Sequence, residues 1–121
     1  MLQTRVTMNL PLQITYRDID PSDSLTREIQ RRARGLERYF DRITRCRVIL
    51  MGPSQNHRHG EHYHARIELS VPGQELIAGE HDGGKDDAYA AMRDAFATAE
   101  RELKKYARRR IEHHQARVAV A

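Results

Sequence analysis

Two sets of cations define the chemistry this chain can do. Arg27, Arg31, Arg34 and Arg38 recur three or four residues apart, which on a helix is a single row. Arg101, Lys105 and Arg108 repeat that spacing near the other end of the chain, with Lys104 beside them. A guanidinium is a flat, permanently charged fork that matches two oxygens of a phosphate, and a lysine ammonium serves the same anion as a point charge. Arg32 and Arg42 flank the first row and Arg109 the second. Many charged rows are only solvated faces, so distribution matters more than number. Positions 27–47 carry Arg27, Arg31, Arg32, Arg34, Arg38, Arg42, Arg45 and Arg47 against Glu28, Glu37 and Asp41. Positions 101–110 are as basic, whereas the middle of the chain is acidic or neutral. A net charge of +4 and a pI near 9.6 therefore understate two local concentrations. Concentrated positive charge is what a footprint for a polyanion requires.

The other reactive side chains point to no second chemistry. His57, His59, His62 and His64 invite a zinc site, which needs three or four converging ligands. Only His62 and His64 share a strand face, and the reading they support is a histidine-rich polar rim; no metal or other cofactor is expected. The GGK at 83–85 lacks the remaining residues of a phosphate loop. The carboxylates ride on helix faces and connections, and nothing marks one for acid–base work. Cys46, in an apolar run, reads as core and not as a nucleophile. A non-enzyme with no small-molecule substrate is the expectation.

These cations need a scaffold, and 121 residues with 39% hydrophobic and 31% charged side chains suit one ordered, soluble domain. No run of about 20 apolar residues offers a membrane span, so no membrane partner is expected. The start has no signal-peptide pattern, and one cysteine suits a reducing compartment, hence a cytoplasmic expectation. Residues 1–11 read as an N-terminal extension, within which Met8 offers a second start. Leu12, Ile14 and Tyr16 alternate with polar residues as a half-buried strand. Ser22 or Asp23 caps a first helix expected to reach Tyr39 or Phe40, its apolar stripe being Leu25, Ile29, Ala33, Leu36 and Phe40. Gly35 inside that helix costs about 1 kcal/mol relative to alanine.

The second strand is expected at 43–51, with Cys46, Val48 and Leu50 inward, followed by the loop GPSQNHRHG. In the third, Tyr63, Ala65, Ile67, Leu69 and Val71 alternate with polar residues, and Pro72-Gly73 turns it into a fourth. After the polar connection HDGGKDD, Asp86 or Asp87 caps a helix running from about Asp86 to Arg108, with Met92, Phe96, Ala99 and Leu103 on its buried face. Residues 110–121 read as a flexible tail. The order β-α-β-β-β-α predicts an α+β two-layer sandwich over 12–109, a four-stranded sheet with both helices packed on one face. The two basic rows then point away from the sheet and make one surface. No tryptophan and only two phenylalanines are present, which favours phosphate contacts along structured RNA over stacking on single strands.

Two segments carry a resemblance. LERYFDRITRCRVIL (36–50) and DAYAAMRDAF (87–96) resemble the bacterial ribosome-hibernation promoting factor family, also called ribosome-associated inhibitor A or sigma modulation proteins. The likeness covers roughly residues 12–109. It implies binding to the small ribosomal subunit and its 16S ribosomal RNA, in the channel that holds mRNA and tRNAs. Such proteins block translation in stationary phase or stress, and some promote inactive ribosome dimers. The family's basic helix residues correspond here to Arg31, Arg34 and Arg38, with Arg32 at a commonly basic position, and to Arg101, Lys104, Lys105 and Arg108. Gly35 falls where relatives often carry lysine. The chain resembles the short members, which lack a second domain. The alternative is a general double-stranded RNA-binding module, which also sets two helices on one face of a sheet. A third reading is a protein-interaction domain that uses the outer sheet face or the tail.

Overall fold

A computed structural model describes residues 10–53, 62–79 and 84–120, with side chains as far as residue 114. Its elements are β1 (Leu12–Arg17), α1 (Asp23–Leu36), β2 (Arg45–Met51), β3 (His64–Val71), β4 (Gln74–Ala78) and α2 (Ala88–Val120). The strands lie in the order β1-β2-β3-β4. β1 and β2 are parallel, with α1 as the crossover such a pair requires, and the other pairings are antiparallel. This is the expected α+β sandwich, a mixed sheet with both helices on one face.

The alternation of β3 sets the inner face. Ala65, Ile67, Leu69 and Val71 are buried, while His64, Arg66, Glu68 and Ser70 look outward. Cys46, Val48 and Leu50 of β2 join them, and so do Leu12 and Ile14 of β1. The helices cover this face with Leu25, Ile29, Ala33 and Leu36 from α1 and Met92, Ala95, Phe96, Ala99 and Leu103 from α2. Met92 and Leu103 are completely enclosed, each side chain worth about 1.5–3 kcal/mol of burial. Burial pushes the Cys46 thiol up to about 12, so the one cysteine is an unreactive core residue, as expected. The outer face is not wholly wet: Ile49 is buried there, beside the Arg47–Glu68 and Arg66–Glu68 ion pairs at 3.4 and 2.8 Å.

Caps fix where the helices begin. The Ser22 hydroxyl accepts from the Leu25 amide at 3.3 Å, and the Asp87 carboxylate accepts from the Ala90 amide at 2.7 Å. The Tyr16 hydroxyl bonds to the Thr26 hydroxyl at 2.5 Å and so ties β1 to the first turn of α1.

Four boundaries depart from the sequence expectation. Leu10, placed in the extension, is a core residue, because the two-residue period of β1 continues back to it. The helix α1 stops at Leu36, short of Tyr39 or Phe40. The amides of Glu37, Arg38 and Tyr39 bond three residues back, the tightened turn in which helices often end. Strand β2 starts at Arg45, although Ile43 ahead of it is buried as well. The helix α2 does not end near Arg108 or Arg110 but runs to Val120. No glycine or proline interrupts 88–120, so local propensity carries it beyond Tyr106, the last buried residue among those whose side chains are described. Residues 1–9, with Met8, lie outside the described residues, as do His57, His59 and most of the GPSQNHRHG and HDGGK segments.

Candidate nucleic-acid interface

The cations occupy the layer opposite the sheet. Arg27, Arg31, Arg34 and Arg38 are exposed on or just beyond α1, with their backs to its buried stripe. Arg101, Lys104, Lys105 and Arg108 are exposed on α2. At about 100° per residue, Arg101, Lys105 and Arg108 form its outer crest, Lys104 leans toward α1, and Arg109 falls on the far flank. Arg109 is thus the member of the expected set that the fold turns away from α1. Arg42 lies past the end of α1, its guanidinium 5.6 Å from the centre of the Phe40 ring.

Between the helices runs an open groove of about 360 Å³. Arg31, Arg32 and Arg38 line it from the α1 side and Arg93 from α2, over a floor that includes Leu36, Phe96 and Ala97. The Lys104 ammonium stands 4.6 Å from the centre of the Tyr39 ring at the groove's end. Gly35 lies in the same wall, and a Cβ there would meet nothing nearer than 3.4 Å, at the flexible end of Arg38. Close packing therefore does not require this glycine.

Arg93 is a groove residue that the sequence reading does not pick out. It stands alone among alanines and belongs to neither row. Its only signal is its phase, since positions 93, 97, 100 and 104 share one helix face. That face cannot be recognised as a groove wall until the flank of α2 that meets α1 is known. Arg93 also lies over the Tyr89 ring at 5.7 Å.

Two carboxylates temper the groove. Glu28 accepts from Arg31 at 2.9 and 2.5 Å and from Arg32 at 2.8 Å. The Arg31 bonds above all, with those of Arg32, hold its carboxyl at about 2, against an ordinary value of 4.5. The Glu100 carboxylate bonds the Tyr39 phenol and raises its pKa. Both arginines next to Glu28 are thus held in place but already partnered, and a phosphate must compete with a carboxylate for Arg31. For a carboxyl lowered on folding, the stabilisation is complete above about pH 4.5 and is lost as pH falls toward 2. A carboxyl-carbon NMR titration is expected to place the Glu28 midpoint near 2, and a midpoint at 4.5 would contradict the clamp.

The described residues hold no group of three or more histidine, cysteine or acidic side chains able to take a metal, and no helix among them is long and apolar enough to cross a membrane. Fold and surface together define a small α+β domain that presents a cationic two-helix layer with a groove along it. Residues 12–111 match the family described as sigma 54 modulation protein / S30EA ribosomal protein, and the chain belongs to that family. The ribosome hibernation promotion factor of Deinococcus radiodurans is 30% identical over 105 residues, 85% of this chain and 52% of that protein. The chain thus spans about half the length of this relative. Two solved structures share the fold. The N-terminal domain of Thermus thermophilus Protein Y has a TM-score of 0.64 at 22% identity, covering 82% of this chain and 99% of that one. A ribosomal subunit interface protein from Coxiella burnetii has a TM-score of 0.61 at 20% identity, covering 78% and 94%.

Proposed function

We propose that this protein is a translation inhibitor of the hibernation type, which binds 16S ribosomal RNA of the small subunit through its two-helix face and obstructs the mRNA and tRNA channel. One observation carries the reading. The cations of two distant segments converge on a single exposed layer, with a groove between them lined by Arg31, Arg32, Arg38 and Arg93. Such a surface suits a phosphate backbone, which it can follow without reading bases. Arg27, Arg34, Arg101, Lys105 and Arg108 supply the outer contacts, Lys104 the groove's end, and Arg42 a flank. Arg109 contributes least, because of its phase. Inhibition needs no covalent step, since a domain seated in the channel excludes what would otherwise occupy it.

Binding through phosphates releases counterions, so affinity for isolated small subunits should fall steeply, by about 10³-fold or more, between roughly 50 and 200 mM salt. Co-sedimentation across that range measures this. Salt-insensitive retention would refute the electrostatic face. Equal affinity for free duplex RNA would instead favour a general duplex-binding module. In the same assay, tRNA binding to programmed subunits should decline as the protein saturates them. Simultaneous full occupancy by both would rule out obstruction of the channel.

A further inference from the structure

Just past α1, the chain faces the second half of α2 across a separate open cleft of about 620 Å³, within the range of small-ligand sites. Arg42 and Arg110 line it. Each lies over an aromatic ring, Arg42 at 5.6 Å from the centre of Phe40 and Arg110 at 5.8 Å from that of Tyr106. The two rings meet edge to face, 5.0 Å apart at 86°. The Tyr106 hydroxyl is anchored to the Pro72 carbonyl at 2.6 Å, which fixes one ring against the β3–β4 turn. The result is a pair of guanidinium groups, each beside a ring and each bordering the cleft, that of Arg110 also donating to the Tyr106 hydroxyl at 3.3 Å. On the wall beside them Ile111 is 58% exposed, an apolar surface on an otherwise charged turn.

The charges around the cleft restrict its occupant. Arg38 lines both this cleft and the interhelical groove, so it stands where the two meet. Glu37 and Asp41 also line the cleft, which leaves three guanidiniums against two carboxylates, with His114 nearby. That balance suits one phosphate and not a polyphosphate. Flat guanidinium faces stack on nucleobases, and carboxylates accept hydrogen bonds from exocyclic amino groups.

We propose that this cleft holds one unstacked nucleotide of a bound RNA, its base against Arg42, Arg110 and Ile111 and its phosphate on Arg38. The inference rests on the RNA-binding reading above and adds to it a site that distinguishes bases. Glu37 and Asp41 favour adenine, cytosine or guanine over uracil, which has no amino group. The helix rows contact phosphates alone and carry no such preference.

The test uses the full chain. In an NMR titration, adenosine 5′-monophosphate should shift signals of residues 37–42 and 107–114, and bind about fivefold or more tightly than uridine 5′-monophosphate or ribose 5-phosphate. The double variant Arg42→Lys/Arg110→Lys keeps both charges but loses both planes. It should weaken adenosine 5′-monophosphate by a similar factor while melting like the parent. Unchanged nucleotide affinity in that variant, or ribose 5-phosphate binding as well as the nucleotide, would overturn the stacking site. An RNA duplex with one bulged adenosine should bind several-fold better than its fully paired counterpart, and the variant should abolish the difference. Nucleotide binding without that bulge preference would assign the cleft to a free nucleotide and overturn the RNA form. Cleft signals that stay still while subunit binding is intact would overturn the pocket and leave the proposed function standing.

Discussion

Reversing three charges together, Arg31→Glu, Arg34→Glu and Lys105→Glu, is expected to lower small-subunit affinity by about a thousandfold near physiological salt. Each reversal removes a phosphate contact and adds a repulsion, and about 1.4 kcal/mol per site is tenfold in affinity. The slope of log affinity against log salt should fall by roughly 3, at about 0.9 per lost contact. All three side chains are exposed, so the fold should tolerate the change. The exception is local: a carboxylate at position 31 would sit beside Glu28 in place of its arginine partner, a small like-charge penalty on one helix face. A melting curve close to the parent's establishes that the loss is one of binding. Two single reversals sharpen the geometry. Arg93→Glu should weaken binding about as much as one member of a row, because Arg93 lines the groove. Arg109→Glu should do little, because its phase turns it from α1. A triple variant that binds normally would refute the two-helix face outright.

What could be read from the sequence was whatever obeys a period. The alternation 65-67-69-71, the stripe 25-29-33-36 and the Pro72-Gly73 turn each place their residues correctly, because pleat and helix leave one solution per pattern. Both basic rows follow from the same arithmetic. The misreadings lie where local and tertiary preferences part. Phe40 continues the α1 stripe in spacing, yet it sits beyond a tightened last turn and meets Tyr106 from outside the helix. The helix expected to stop at about Arg108 instead runs on past the sheet, and Arg110 covers the Tyr106 ring. Arg93 has no row to belong to, and which flank of α2 faces α1 is a packing fact with no sequence period. The clamp on Arg31 and Arg32 is hidden in a similar way, since Glu28, three and four residues before them, has the spacing to pair with either or neither.

Gly79→Ala should destabilise the domain by about 3 kcal/mol, the sum of a backbone and a packing cost. Gly79 follows β4 with φ at +88°, a left-handed conformation that costs a residue with a Cβ about 1–2 kcal/mol. Space is lacking as well. A Cβ there would run into the Ala65 carbonyl oxygen, which is backbone and cannot swing aside, and would stand 3.0 Å from the Ala95 Cβ. Overpacking of that kind adds about 1–3 kcal/mol. Gly73 is the built-in control. Its φ is +86°, yet nothing lies within 4 Å of an added Cβ, so Gly73→Ala should cost only the backbone part, about 1–2 kcal/mol. Denaturant unfolding of both variants separates the contributions, and equal losses would mean that the Gly79 contact relaxes freely. The contact also bears on binding. Ala65 belongs to β3 and Ala95 to α2, so the easiest relief is for α2 to lift from the sheet near the turn that carries Arg93. Under conditions where Gly79→Ala remains folded, it should therefore weaken small-subunit binding although it alters no charge, whereas Gly73→Ala, out on the hairpin, should leave binding unchanged.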